Sequence, residues 1–183
     1  RQNAVGLDVE IEDISERVAS LALQGPTSGR LLQAVAEADV AKLKYFRVTR
    51  GKIAGVPVEI SRTGYTGERG YELIALNEVA GALWDRLLAA GEPFGMLPCG
   101  LGARDTLRTE MGYPLHGQDI TLEVTPNQAG LGWAVGWNKD AFWGRDALVA
   151  EKEAGPQRRL RGLIALGRGI PRPGMIVSLV PDV

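Results

Sequence analysis

The segment Gly100 to Met111 reads as a helix, and an arginine stands on its apolar side. At about 100° per residue, Arg104, Leu107 and Met111 fall within one sector of about 60°, with Arg108 and Leu101 just beyond it. Glu110 and Asp105 point elsewhere. The spacing therefore predicts that Arg104 is at least partly buried. A buried guanidinium needs an acceptor, because an unpaired one costs several kcal/mol. A carboxylate is available on the strand Tyr71 to Leu76, where Glu72 shares its face with Ile74 and Leu76, while Tyr71, Leu73 and Ala75 take the other face. Two readings stand for each residue. Arg104 is either a structural cation, in a salt bridge or with its stem packed and its head in water, or a ligand-facing one. Glu72 is either a strand-end acid in water or an acid facing a site.

Just before Glu72 stands Gly64-Tyr65-Thr66-Gly67-Glu68-Arg69-Gly70. It lacks the Lys-Ser/Thr ending and the strand-to-helix setting of a phosphate loop. Three glycines in seven residues do let backbone approach a flat ligand closely, and Tyr65 would then either lie against that ligand or plug the core. His116 is the only histidine and stands in a loop without a second ligand beside it, which favours a plain surface or packing role. Cys99, the only cysteine, sits between Pro98 and Gly100 at a helix start, a place where a reactive thiol can stand, but a small buried hydrophobe is the simpler reading. Trp133, Trp137 and Trp143 read as core, with any one of them able to serve as a stacking wall.

The elements that must position these residues follow from pattern. Val18 to Leu23 is a short buried strand, and Gln24 to Ser28 a turn into a helix carrying Leu31, Leu32 and Val35, with Thr27 or Ser28 as cap. Strands follow at Tyr45 to Thr49 and, after Gly51-Lys52, at Ile53 to Ser61, where Gly55 and Pro57 suggest a bulge or an edge. The strand at Tyr71 leads to a helix Glu78 to Ala90 capped by Asn77 and stopped by Gly91. Strand, helix, strands, helix is the order of an α+β split βαβ (ferredoxin-like) sandwich, with both helices on one face of an antiparallel sheet. That unit covers residues 18–98, preceded by an acidic arm over 1–17. Residues 99–150 supply the third helix and a long loop, Gly112 to Gly132. Glu151 to Gln157 reads as a linker, and in 151–183 the stretches Arg158 to Leu166 and Met175 to Val180 read as strands opening a C-terminal β-barrel. Because it starts at Arg1 and stops in an apparent strand, the chain reads as a fragment cut at both ends.

Composition narrows the function. With 45% hydrophobic and 23% charged residues, the 183-residue chain has the balance of a folded globular protein. A net charge of −1 offers no basic field for nucleic acid. One cysteine and one histidine exclude a disulfide framework, a multi-thiolate metal site, and His-plus-His or several-ligand Cys-His sites. No apolar run approaches the ~20 residues of a membrane span. A reducing, cytoplasmic setting fits. Taken alone, these readings name no reaction.

Five motifs together do. Leu21-Ala22-Leu23-Gln24-Gly25-Pro26, Arg62 to Glu68 with Gly70-Tyr71-Glu72, Gly102-Ala103-Arg104-Asp105-Thr106-Leu107-Arg108 with Gly112-Tyr113-Pro114-Leu115, Thr125-Pro126 before Ala129 to Trp133, and Gly144 to Leu148 stand in the order and spacing of one family. The chain resembles the T-protein (aminomethyltransferase) family of the glycine cleavage system from about Gly6 onward.

The resemblance implies a transferase that takes the aminomethyl group from the lipoyl arm of the H-protein. It passes the carbon to tetrahydrofolate, releasing ammonia. It further implies folate contacts at Glu72, Arg104, Tyr65, Tyr113 and Trp133. A carboxylate such as Glu72 accepts two parallel hydrogen bonds from a pterin's 2-amino and ring N–H edge. The family's catalytic aspartate has no counterpart in this chain, so no catalytic residue is assigned. Gln128 stands where the family commonly has glutamate, and His116 where tyrosine is common. Related folate-dependent demethylases of dimethylglycine or sarcosine share the pterin pocket and are the nearest alternative. The iron–sulfur-assembly branch, with its Lys-Gly-Cys-Tyr-x-Gly-Gln loop, is disfavoured, since the corresponding Thr63-Gly64-Tyr65-Thr66-Gly67-Glu68 lacks that cysteine. A noncatalytic interaction domain, or a nucleic-acid-binding module of the same strand order, is the alternative from another class.

Overall fold

Four strands build one antiparallel sheet: β1 (Val18–Gln24), β2 (Val48–Ile53), β3 (Val56–Ser61) and β4 (Gly70–Leu76), in the spatial order β1-β4-β3-β2. The structure is a computed structural model and describes residues 5–172 and 174–178. Helix α1 (Ser28–Val35) follows β1 and helix α2 (Asn77–Gly91) follows β4. Both helices pack on β4 and on each other. Their buried residues, Leu31, Leu32, Leu83 and Leu87, join Leu23, Ile60, Tyr71 and Leu73 in one core. Alternation along the strands produces this face, since Tyr71, Leu73 and Ala75 are buried while Glu72 and Ile74 are half-buried on the opposite side. The α+β class and the single helix-covered face agree with the pattern of the sequence.

The strand order does not. A split βαβ unit puts its first two strands parallel with one strand between them. Here β1 and β2 lie at opposite edges, two strands apart. The reason is local. The turn Ala54–Gly55 and the loop 62–69 make β2, β3 and β4 consecutive antiparallel neighbours, so β1 has only an outer position left, beside β4.

That turn also sits elsewhere than the glycine pattern suggests. Gly51 and Lys52 are inside β2, paired with Val58 and Pro57, and the chain reverses over Ala54 (φ 48°) and Gly55 (φ 82°). Two consecutive positive φ values in a two-residue connection match the right-handed twist of the strands. Pro57 is tolerated because β3 pairs with β4 only from Glu59 to Ser61, so its first half is an edge on that side. Asn77 does not cap α2; its side-chain amide donates to the Glu16 carbonyl at 2.6 Å. Gly91 lies within α2, and the chain leaves the helix through a 3₁₀ turn, Glu92–Phe94, ended by Gly95 in the left-handed region (φ 67°).

Helix α3 (Leu101–Glu110) completes the first of two compact units, which ends at Tyr113. The second begins at Pro114 and holds helix α4 (Arg145–Ala154), a helix that takes in most of what the sequence suggests as a linker. Neither Arg158 to Leu166 nor Met175 to Ser178 forms a strand, and no barrel forms among the described residues; Leu179 and Val180 lie outside them. An extended segment becomes a strand only when a neighbour satisfies its backbone. Around Leu160 one such bond forms, from its N–H to the Gln128 carbonyl, while Ile164 and Leu166 are 89% and 100% exposed. No helix is long and apolar enough to cross a membrane among the described residues.

Ala54 holds a conformation that Asn adopts more readily. Ala54→Asn should therefore stabilise the first unit by about 0.5–1 kcal/mol, read as a higher urea midpoint at unchanged slope. A lower midpoint would show that the turn is not of this type.

Candidate functional site

The loop between β3 and β4 carries the candidate residue Tyr65, with Thr63 near its start, and the candidate Glu72 stands in β4 just past its end. The loop is held from β1. The Gln24 side-chain amide donates to the carbonyls of Thr63 (3.3 Å) and Tyr71 (3.2 Å), and its oxygen accepts from the Thr66 hydroxyl (3.2 Å). Gly64 and Gly70 are glycine for reasons of space, since a Cβ on either would overlap the Gln24 amide. Gly67 is different: it has φ 77° and lies against the Met111 side chain. The Ser28 hydroxyl and the Gly25 N–H both donate to the Arg69 carbonyl, at 2.8 Å each, closing the loop against the start of α1.

Tyr65, Tyr113 and Arg104 come together. The two tyrosine rings have centroids 5.9 Å apart, and the Arg104 guanidinium carbon lies 4.7 Å from the Tyr65 centroid. Arg104 is exposed rather than buried, and forms no ion pair among the described residues. The buried guanidinium of α3 is that of Arg108, 4% exposed, which donates to Asp105 (2.7 Å from Nε) and to the Tyr113 carbonyl (3.1 Å). The Tyr65 hydroxyl donates to the same carbonyl at 3.4 Å. Arg108 and Tyr65 thus fix Tyr113 just past the helix end. The α3 stripe that suggested burial of Arg104 is itself open, with Leu101 84% and Met111 50% exposed.

Glu72 does not pair with Arg104. On β4 it stands opposite Ala22 and Ser61, on the sheet face away from α1 and α2, and accepts a hydrogen bond from the Thr63 hydroxyl. Ser61 Oγ lies 3.1 Å from Thr63 Oγ1. One carboxylate oxygen of Glu72 is therefore committed within the protein, which sets the plane of the group. Arg104 instead borders an apolar groove of about 440 Å³, walled by Leu23, Trp84, Leu87, Leu101 and Leu107. Cys99 is on the same wall and exposed, not a buried hydrophobe.

In the second unit Trp133 and Trp143 are each 78% exposed, so neither is core. Trp137 is half-buried, donating to the Gly132 carbonyl at 2.7 Å with the Lys152 ammonium 4.2 Å from its ring. His116 is exposed, in keeping with a surface role. Here the organising residue is Glu151 on α4. Its carboxylate accepts from the Thr125 hydroxyl (2.7 Å) and from the amides of Asn127 (3.0 Å) and Gln128 (3.1 Å). These bonds, the Thr125 hydroxyl foremost, hold its pKa below the usual value, against desolvation that raises it. Among the described residues no cluster of three or more His, Cys, Asp or Glu could hold a metal.

Sequence reasoning missed Gln24, Thr63 and Arg108. The signal for Gln24 was present in Gly64 and Gly70, whose spacing matches the two ends of one clamped loop.

The candidate residues belong to an α+β domain, with an acid on the sheet face away from α1 and α2 and an arginine-topped aromatic pair in the same unit. The chain belongs to the GCVT N-terminal domain family, whose model matches residues 1–139. It is 53% identical over 174 residues to the aminomethyltransferase of Mycobacterium bovis, a match taking in 95% of this chain and 47% of that one. It is 47% identical over 177 residues to the aminomethyltransferase of Caldanaerobacter subterraneus subsp. tengcongensis, covering 96% and 47%. The chain spans about half the length of these curated relatives. Its fold is similar to that of the glycine cleavage system aminomethyltransferase T from Bartonella henselae, with a TM-score of 0.51 at 23% identity over 76% of this chain and 62% of that one.

Two measurements check this geometry. Gly70→Ala alone should destabilise the first unit by about 1–3 kcal/mol through overpacking. In a Gln24→Ala background the same change should cost much less, because its clash partner is gone; equal costs in urea titrations would refute the wedge. For Glu151 the folded pKa is depressed, so its stabilising contribution is complete above the ordinary carboxylate range and is lost as pH falls through the folded value. Tryptophan fluorescence of the second unit should show an acid transition that Glu151→Gln removes. A transition unchanged by the substitution would rule this origin out.

Proposed function

We propose that this chain is the folate-binding part of an aminomethyltransferase of the glycine cleavage system, acting in the cytoplasm. The observation that carries the reading is 53% identity across 95% of the chain to proteins of that activity. In this reading the lipoylated H-protein presents an aminomethyl group on its dihydrolipoyl arm. The methylene carbon passes to tetrahydrofolate, ammonia leaves, and 5,10-methylenetetrahydrofolate and the dihydrolipoyl arm remain.

The residues suit the part assigned to them. Glu72, with one oxygen already engaged by Thr63, keeps lone pairs for the 2-amino and ring N–H edge of the pterin. Tyr65 and Tyr113 offer flat apolar area for a ring. The cation–π contact with Tyr65 holds the Arg104 guanidinium in place, and its N–H donors serve an anionic group of the ligand. Trp133, exposed in the second unit, is assigned a ring-stacking role on the family resemblance. The family's catalytic aspartate has no counterpart among these residues, so in this reading they bind folate without turning it over.

Titration with tetrahydrofolate tests this. The chain should bind it, and Glu72→Ala should weaken binding by about tenfold or more, the worth of a charge-assisted hydrogen bond. Equal affinity in the two would remove the pterin–carboxylate assignment.

A further inference from the structure

We infer that Gln24 is a positioning residue of the candidate folate site, fixing the β3–β4 loop in the shape that presents Tyr65 and sets the Thr63 hydroxyl on Glu72. The inference rests on the reading of the site just proposed and goes beyond it to a residue to which that reading gives no contact with folate.

Gln24 is half-buried at the end of β1, opposite Gly70 in the sheet register. Both hydrogens of its side-chain amide are used, one on a carbonyl at the start of the loop (Thr63, 3.3 Å) and one just beyond its end (Tyr71, 3.2 Å). Its oxygen takes the hydroxyl of Thr66 (3.2 Å) from the middle. Tyr65 lies between two residues clamped in this way, and Thr63, the first of them, is the donor to Glu72. The side chain therefore ties the aromatic and the acidic halves of the site to one amide group.

The chemistry of the partners is specific. Two of the three are carbonyl oxygens, so only a donor pair satisfies them, while the third needs an acceptor. A carboxylate of the same shape would set an oxygen against two carbonyls. The space is specific too: neither Gly64 nor Gly70 has a left-handed φ, and what a Cβ would meet at both is this amide. Neither the sheet nor the core depends on the side chain, because β1 pairs with β4 through backbone over its whole length and Leu23 supplies the burial. Removing the amide should release the loop and leave the scaffold.

The test is a binding cycle with tetrahydrofolate as probe, on the chain, Gln24→Glu, Glu72→Gln and the double variant, with Gln24→Met run in parallel as the volume-preserving apolar form. Cooperative urea unfolding establishes that each variant is folded. Gln24→Glu and Gln24→Met should each weaken tetrahydrofolate binding by about tenfold; when Glu72 is already Gln, Gln24→Glu should cost only about threefold, because the share acting through the carboxylate is gone and the share acting through Tyr65 remains. A purely structural role would give the same fold-loss in both backgrounds and would overturn the inference. If the unaltered chain binds tetrahydrofolate and both Gln24 variants bind it equally well, the inference falls alone. If the unaltered chain does not bind, the reading of the site falls first and takes this inference with it.

Discussion

Seven consecutive residue pairs join β1 to β4, from Val18 with Leu76 to Gln24 with Gly70. Everything else in the first unit is arranged around that ladder. It seats Leu21 and Leu23 beside Leu73 and Tyr71, which is the row on which α1 and α2 close the core. It sets Ala22, a residue without bulk, opposite Glu72 on the other face. A slip of one residue would exchange the two faces, burying the acid and exposing Leu73 and Tyr71. Register is thus strongly specified, and with it the place of Gln24 at the mouth of the loop.

The ladder was partly readable in the sequence. Alternation along Tyr71 to Leu76 assigns each residue to a face correctly, because a half-buried strand writes its register into its residue types. Both helices packed on the sheet are legible for a similar reason, as apolar stripes at helical spacing. The order of strands is not legible in this way. It depends on where the chain turns, and Ala54 gave no sign of the positive φ that a glycine or asparagine would have announced. The second unit defeated pattern reading more fully. Apolar runs such as Leu163-Ile164-Ala165-Leu166 look like strands, yet a run of that kind states only what a strand would bury, not that a partner is at hand.

The site shows the same division. Glu72 and Tyr65 could be singled out because an acid and a glycine-rich loop contrast with their surroundings. Arg104 was singled out by a helical wheel that assumes every apolar stripe is buried. In α3 the stripe fronts a groove, and the guanidinium that is buried belongs to Arg108, just beyond the expected sector. Periodicity marks which side of a helix differs from the rest; it does not say whether protein covers that side. Gln24 escaped notice because a glutamine after a buried strand resembles an ordinary turn residue. Its partners are backbone carbonyls 39 and 47 residues away, which no local pattern encodes.

The two cations of α3 divide their labour by surroundings rather than by type. Arg108 has its donors directed at Asp105 and the Tyr113 carbonyl, so its charge is spent on holding the chain past the helix end. Arg104, one turn earlier, lies over an aromatic face in the open, with a cation–π contact worth about 0.5–1 kcal/mol at an exposed site. That is enough to orient a guanidinium and too little to make its removal unfold the helix. A group so placed keeps its charge and its hydrogen-bonding edge while losing little rotamer freedom on meeting an anion. The buried arginine holds the chain at the helix end, and the exposed one keeps its guanidinium at the surface.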